Sequence, residues 1–218
     1  MKSKLLWLSE FRGLNEMIDR KHNIKTRTRE DDSFRVIFFT GCGLERIMFE
    51  ELLTAFIKGS PDPMDIFEEI KKHYKRVLKS MKAESEDLAT AVNDHLVEIE
   101  WLLEDGPQDD EDKIRDQMQS VQLLIGSRIA FHLLNLTGWN WADARDIFWV
   151  EEDYQRTGPS EEKVKTGLDQ LFSENQIKLP VLTQGGLVGT DDNNSLVIKM
   201  NSLIEGAARE LNIEMVRL

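Results

Sequence analysis

The stretch Phe34-Arg35-Val36-Ile37-Phe38-Phe39-Thr40, followed by Gly41-Cys42-Gly43, limits what this chain can fold into. β-branched and aromatic residues run on without polar alternation, as in a strand buried on both faces of a parallel sheet. Glycines end the run, and behind them Leu44, Ile47, Met48, Leu52, Ala55 and Phe56 recur at helical spacing. Strand, glycine turn and helix make a βα unit, which Pro61 and Pro63 close. Parallel strands need crossovers packed on the sheet, so the unit points to a layered α/β fold.

The remaining segments extend this pattern. Residues Glu10 to Lys21 are expected as a helix and residues 23–33 (NIKTRTREDDS) as a loop. Apolar residues at three- and four-residue intervals predict helices over Ile66–Met81, Leu88–Leu103 and Ile114–Leu133. The acidic run 105–112 reads as a surface turn, and Thr137-Gly138 as the stop of the third helix. In the last third, Trp139–Ile147 is expected as a strand with its exit loop, Glu161–Phe172 as a helix and Leu179–Thr183 as a strand ending at Gly185-Gly186. Ser202–Leu211 then reads as a helix and Ile213–Leu218 as a strand. In a mostly parallel sheet ligands bind at the carboxyl ends of strands, where the turns at Gly41 and Gly185 both fall.

The 218 residues suit one domain, and a chain of this size buries about 70% of its unfolded surface without staples. A net charge of −12 and a pI near 4.9 exclude nucleic acid and anionic membrane as expected main partners. The lone Cys42 excludes an internal disulfide framework and a cysteine-based zinc site, and fits a reducing compartment. The apolar run Leu5–Leu8 is too short for a signal peptide, and no stretch reaches a membrane span, so a cytoplasmic location is expected.

Common site motifs do not match. Residues 185–190 (GGLVGT) lack the lysine of a Walker loop, and Gly41-Cys42-Gly43 lacks the third glycine of a dinucleotide fingerprint. His95 and Glu98 share a helical face as metal ligands or, in the favoured reading, as a solvated polar face. Cys42 is either a nucleophile at a helix start or, favoured, a small residue in a tight turn. Trp139, Trp141 and Trp149 are expected in the core.

A more specific signal lies in Trp141-Ala142-Asp143-Ala144-Arg145-Asp146, which resembles the W-L-D-A-R-D segment of aspartokinases, in the amino-acid kinase family. Thr183-Gln184-Gly185-Gly186-Leu187-Val188-Gly189 is similar to that family's T-Q-G-F-I-G segment. Residues 34–58 resemble the family's second strand, loop and helix, and residues 64–136 its helical insertion. The resemblance implies a three-layer α/β sandwich with a mostly parallel sheet and that insertion. Residues 1–218 would then be one aspartokinase-like domain, with the nucleotide-side half and regulatory domains absent. The implied activity is phosphorylation of the aspartate side chain by MgATP.

Residue by residue, the resemblance is broken at places the reaction needs. The family's opening lysine-phenylalanine-glycine-glycine, which holds the transferring phosphoryl group, is set against Lys2 to Trp7, where Leu5 and Leu6 stand for the glycines. The family's Gly-Glu pair, whose glutamate engages the amino acid, is Gly126-Ser127-Arg128 here. The T-T-L-G-R-x-G-S-D segment becomes Ser195–Leu203, in which Lys199 stands for the arginine and Ser202 survives. Phosphoryl transfer depends on positioned cations and amides, so these departures fall on a single reaction.

The expected protein is therefore an aspartokinase-like binding or interaction module that has lost kinase chemistry and needs no cofactor. Its expected partner is a second copy or another protein, with a small anionic or amino-acid ligand. Pocket candidates are Thr40, Gly41, Arg128, Asp143, Arg145, Thr183, Gly185, Lys199 and Ser202, unless Ile198, Met200 and Leu203 fill the crevice, which is the favoured outcome. The alternative is a divergent aspartate kinase using ATP and Mg, with phosphate charge from Lys2, Lys4, Lys199 or Arg128 and a partner chain completing the site.

Overall fold

A computed structural model describes residues 3–9, 11–81, 86–106, 111–150, 159–174, 181–190, 195–198 and 200–218. The strands β1 (Lys4–Leu8), β2 (Phe34–Phe39), β3 (Asn140–Trp141), β5 (Val181–Gln184) and β8 (Glu214–Arg217) form a parallel sheet in the order β3-β5-β2-β1-β8. The continuous apolar run of β2 is explained by its place at the sheet's centre. Side-chain alternation sends Leu6, Leu8, Ile37, Phe39 and Leu182 into one core and Leu5, Trp7, Val36 and Phe38 into the other.

The first core is covered by α1 (Leu14–Glu30), α2 (Gly43–Lys58), α3 (Pro63–Ser80), α4 (Glu86–Asp105) and α5 (Glu111–Leu134). The second is covered by α6 (Glu161–Glu174), α7 (Asn201–Glu210) and a small sheet. That sheet, in the order β4-β6-β7, comprises β4 (Trp149–Val150), β6 (Leu187–Thr190) and β7 (Ser195–Val197). The α/β layering inferred from the sequence is the observed one. Gly126 lets α5 lie directly on the sheet, since a methyl group there would sit 2.4 Å from the Phe39 ring.

Several segments differ from the sequence reading. α1 begins at Leu14, four residues later than expected, and runs on to Glu30 through the stretch read as a loop. Ile24 and Thr28 bury on the same side as Met17, and the Thr28 hydroxyl donates to the Ile24 carbonyl at 3.0 Å. One apolar residue among residues 22–30 was too thin a signal for that turn. β1 is a strand that the short run Leu5–Leu8 did not announce. The expected strand at Trp139–Ile147 is two residues long and gives way to a 3-10 turn at Ala144–Asp146, which the Asp143 carboxylate caps. Leu187–Thr190, read as glycine loop, is strand β6. Trp149, expected in the core, is 46% exposed with the Lys163 ammonium above its ring.

Candidate functional site

The parallel ladder continues past the strands at their carboxyl ends. Ala142 N–H donates to Leu182 O, Gly185 N–H to Phe39 O and Thr40 N–H to Leu8 O. The backbone leaving β3, β5, β2 and β1 therefore forms one edge, which divides into two halves of different character.

The half beyond β1 and β2 holds a cavity of about 370 Å³ lined by Phe11, Arg12, Thr40, Gly41, Cys42, Gly43, Arg46 and Gln122. Gly41 has φ +92°, a conformation that favours glycine, and a methyl group on it would lie 3.3 Å from both amide atoms of Gln122. Gln122 is only 4% exposed, yet no hydrogen-bond partner for its amide occurs among the described residues. The guanidinium groups of Arg12 and Arg46 are exposed, with no ion-pair partner among the described residues. Two cations and a buried amide thus converge on glycine backbone.

Beneath the cavity the loop and helix starts are tied together. At the start of α2, Gly43 N–H donates to Phe11 O at 2.9 Å and Leu44 N–H to Arg12 O at 2.6 Å. Those two amides, free for an anion at many helix starts, are used by the chain itself. Gly13 has no side chain with which to cap α1, and the buried Glu45 does so from α2. Its Oε1 accepts from Leu14 N–H at 3.2 Å and lies 2.7 Å from His73 Nε2. Burial pushes the Cys42 thiol far up, and the Glu45 and Glu16 carboxylates add to it. A buried thiol held protonated in this way favours the reading of Cys42 as a small residue in a tight turn, because only the thiolate attacks. His95 Nδ1 lies 3.0 Å from Glu98 Oε1, and among the described residues no three His, Cys, Asp or Glu side chains converge as a metal site would need.

The half beyond β3 and β5 is closed by its own side chains. Asp143 grips Arg145 through contacts of 2.7 Å to Nη2 and 3.1 Å to Nε. Burial pulls the Arg145 guanidinium down, but the hydrogen bond and charge of Asp143 outweigh it and the net shift is upward. Arg128, 3.3 Å above the Trp141 ring, is lowered by burial against the opposing charge of Asp143. Trp141 Nε1–H donates to Ser127 Oγ at 2.9 Å, and that hydroxyl donates to Leu124 O at 3.0 Å. Gln184 Oε1 accepts from Ala144 N–H at 2.8 Å. Thr183 Oγ1 is buried with no partner.

Each glycine of the 185–189 loop answers a close approach. A methyl group would meet Thr40 Cγ2 at 3.0 Å from Gly185, Ile198 O at 3.0 Å from Gly186, and Arg145 O at 2.7 Å from Gly189. Met200 is buried, and Ile198 and Leu203 pack on the same core. Of the residues expected to form one pocket, Thr40 and Gly41 line the cavity, while Asp143, Arg145, Arg128, Thr183 and Gly185 belong to the closed half. Ser202 is exposed on the first turn of α7, and Lys199 lies outside the described residues. Arg12, Arg46 and Gln122 were not anticipated.

No family model and no curated protein matches the sequence. Solved structures do. E. coli aspartokinase III in complex with aspartate and ADP matches at TM-score 0.76 and 13% identity, over 99% of this chain and 49% of that one. The fold is that of an aspartokinase. The same E. coli enzyme in complex with lysine and aspartate matches at TM-score 0.75 and 12% identity, over 97% and 48% of the two chains. Clostridium acetobutylicum aspartate kinase follows at 0.66 and 14%, over 96% and 46%. The chain spans about half the length of the solved structures it matches.

Against the aspartokinase fold, one register in the sequence reading needs correction. Leu5, Leu6 and Trp7 lie inside β1, hydrogen-bonded to strands on both edges, and cannot stand at a phosphoryl group. Lys4 is at the opposite end of the sheet, 2.6 Å from Asp31. The residues that leave the carboxyl end of β1 read Ser9-Glu10-Phe11-Arg12-Gly13. Of these, Phe11 and Arg12 line the cavity. Ser127, set against the family's glutamate in the sequence resemblance, is fully buried and bonded to Trp141.

Proposed function

We propose that this chain is an aspartokinase-fold module that binds a small anion at the Thr40–Gly41 cavity and does not transfer phosphoryl groups. The observation that carries the reading is the contrast at the strand ends. Arg12, Arg46 and the Gln122 amide face a cavity, whereas Ser127, where aspartokinases have the glutamate that engages the amino acid, is sealed against Trp141. A transferring phosphoryl group needs cations, amides and an acceptor positioned together. Ser127 offers no carboxylate to hold the aspartate ammonium. The Gly43 and Leu44 amides are already bonded, and Asp143 and Arg145 neutralise each other. Neither MgATP nor aspartate in its phosphorylatable pose fits this donor set.

The two guanidinium groups suit a carboxylate or phosphate, and the E. coli neighbour was solved with aspartate and ADP, both anionic. Binding of an anion and association with a partner, whether a second copy or another protein, would remain as the module's work. Calorimetric titration with inorganic phosphate and with aspartate tests the binding half of the reading. Saturable binding of at least one of them, weakened about tenfold in Arg12→Gln or Arg46→Gln by loss of a charge-assisted hydrogen bond, is expected. Absence of binding by both probes, or affinity unchanged in both variants, would overturn it.

A further inference from the structure

The strand-end cavity adjoins a buried ionisable pair that does not itself line it. Glu45 of α2 and His73 of α3 are both buried, with Oε1 and Nε2 2.7 Å apart. The same Oε1 accepts from Leu14 N–H at the start of α1, so one carboxylate oxygen joins three helices. The other oxygen, Oε2, is buried with no hydrogen-bond partner among the described residues, and a methyl group on Gly13 would sit 3.6 Å from it. Glu45 thus lies beside the Arg12-Gly13 turn and in the first turn of the helix that Cys42 and Gly43 begin. Phe11, Arg12, Cys42 and Gly43 all line the cavity.

The protonation state of the pair sets its charge. With an imidazolium opposite the carboxylate the pair is neutral; once that proton leaves, a carboxylate faces a neutral imidazole and the pair carries −1. The groups around it do not take up this charge. The Tyr74 phenol is held protonated by its burial and then by the Glu45 carboxylate, and the Cys42 thiol likewise. On α1, Glu16 is a carboxylate already engaged, accepting from Arg12 N–H at 2.8 Å with Arg20 at 3.6 Å. The exposed Glu69 and Lys72 of α3 neutralise each other at 2.8 Å, and α5 brings the neutral amide of Gln122 to the cavity. Histidine is the side chain that ordinarily changes charge between about pH 5 and 8, and His73 is the histidine of this cluster.

We propose that anion binding at the Thr40–Gly41 cavity is linked to a proton on the Glu45–His73 pair: the anion is held when the pair is neutral and repelled when it carries −1. The link rests on the reading of the cavity as an anion site and adds its regulation. A buried unit charge about 10 Å from an anion, at an effective dielectric of about 20, changes the affinity roughly tenfold. Affinity therefore falls as pH rises through the titration of the pair. By reciprocity, a bound anion makes the pair keep its proton to higher pH.

Calorimetric titration with sulfate and with aspartate tests the link between about pH 5.5 and 8, where both probes keep their charge. The wild-type affinity is expected to fall roughly tenfold from the acid to the alkaline end. His73→Gln leaves the Glu45 carboxylate charged throughout, so it should bind weakly with a flat profile. Glu45→Gln/His73→Gln removes the charge and should bind as tightly as the wild-type chain at the acid end, again with a flat profile. Circular dichroism checks that both variants are folded. NMR titration of the His73 imidazole in the wild-type chain needs no variant, and its midpoint should move to higher pH with aspartate bound. A flat wild-type profile, a pH dependence that survives in His73→Gln, or an imidazole midpoint unmoved by the anion would overturn the link and leave the cavity an anion site. Absence of binding by both probes at every pH would overturn the cavity reading and the link with it.

Discussion

The two halves of the strand-end edge share a sheet and a direction, yet one opens onto a cavity and the other is packed shut. Beyond β1 and β2, the side chains of Arg12, Arg46 and Gln122 converge on a cavity and have no hydrogen-bond or ion-pair partner among the described residues. Beyond β3 and β5, Arg145 is spent on Asp143, the Trp141 indole on Ser127, and Arg128 stacks on the Trp141 ring. Arg128 Nε, Thr183 Oγ1 and Gln184 Nε2 are buried there with neither a hydrogen-bond partner nor an open cavity beside them among the described residues. A site needs polar groups that lack partners and a space in front of them, not residue types alone. Asp143 and Arg145 are pocket candidates in the sequence, but in the fold they complete each other. Arg12 and Arg46 attract no notice in the sequence and are left facing a cavity.

Forcing the closed half open should have the largest effect. Ser127→Glu places an unpaired carboxylate at a fully buried position beside Trp141, and is expected to cost about 3 kcal/mol or more in urea denaturation. A loss below about 1 kcal/mol would mean that this half can accommodate a charge, and the contrast would fail.

Gly189→Ala comes next. Its methyl group would sit 2.7 Å from the Arg145 carbonyl, an overpacking expected to cost about 2 kcal/mol. An unchanged denaturation midpoint would show that the glycine loop is not held by packing. The open half should respond differently, since Arg12→Gln and Arg46→Gln change the stability by no more than about 0.5 kcal/mol. A larger loss in either variant would mean that these cations are structural and would remove the contrast from the other side.

The smallest effect is a control at the opposite end of the sheet. Hydrogen bonds from Lys4 and then from Ser33 hold the Asp31 carboxyl at about 2, below its ordinary value. A carboxylate lowered in the folded state stabilises above the ordinary carboxylate range, and that contribution is lost as pH falls towards 2. The difference in urea midpoint between the wild-type chain and Asp31→Asn should therefore be present at pH 7 and vanish near pH 2. A difference that persists at pH 2 would assign the effect to packing rather than charge.

Much of the fold could be read in advance because burial leaves a pattern. The β2 run, the helix after Gly43 and the long α5 all bury enough apolar surface to set a period. β6 and β7 were missed because strands of four and three residues in a second small sheet are too short to show one. The site was only partly legible. Thr40 and Gly41 followed from strand-end topology, and the pairing of Asp143 with Arg145 depends on a 3-10 turn that no periodicity announces. Arg12 and Arg46 come from different elements, brought together by the backbone bonds from Gly43 and Leu44 to Phe11 and Arg12.

The central claim is that a fold shared with aspartokinases here carries an anion cavity without phosphoryl transfer. Hydroxylamine trapping tests it most directly, with aspartate, MgATP and the purified chain incubated together so that any acyl phosphate is captured as aspartyl hydroxamate. The account predicts no hydroxamate above the protein-free blank at any protein concentration. Hydroxamate that rises in proportion to protein, and falls in a variant of Arg12 or Arg46, would contradict it.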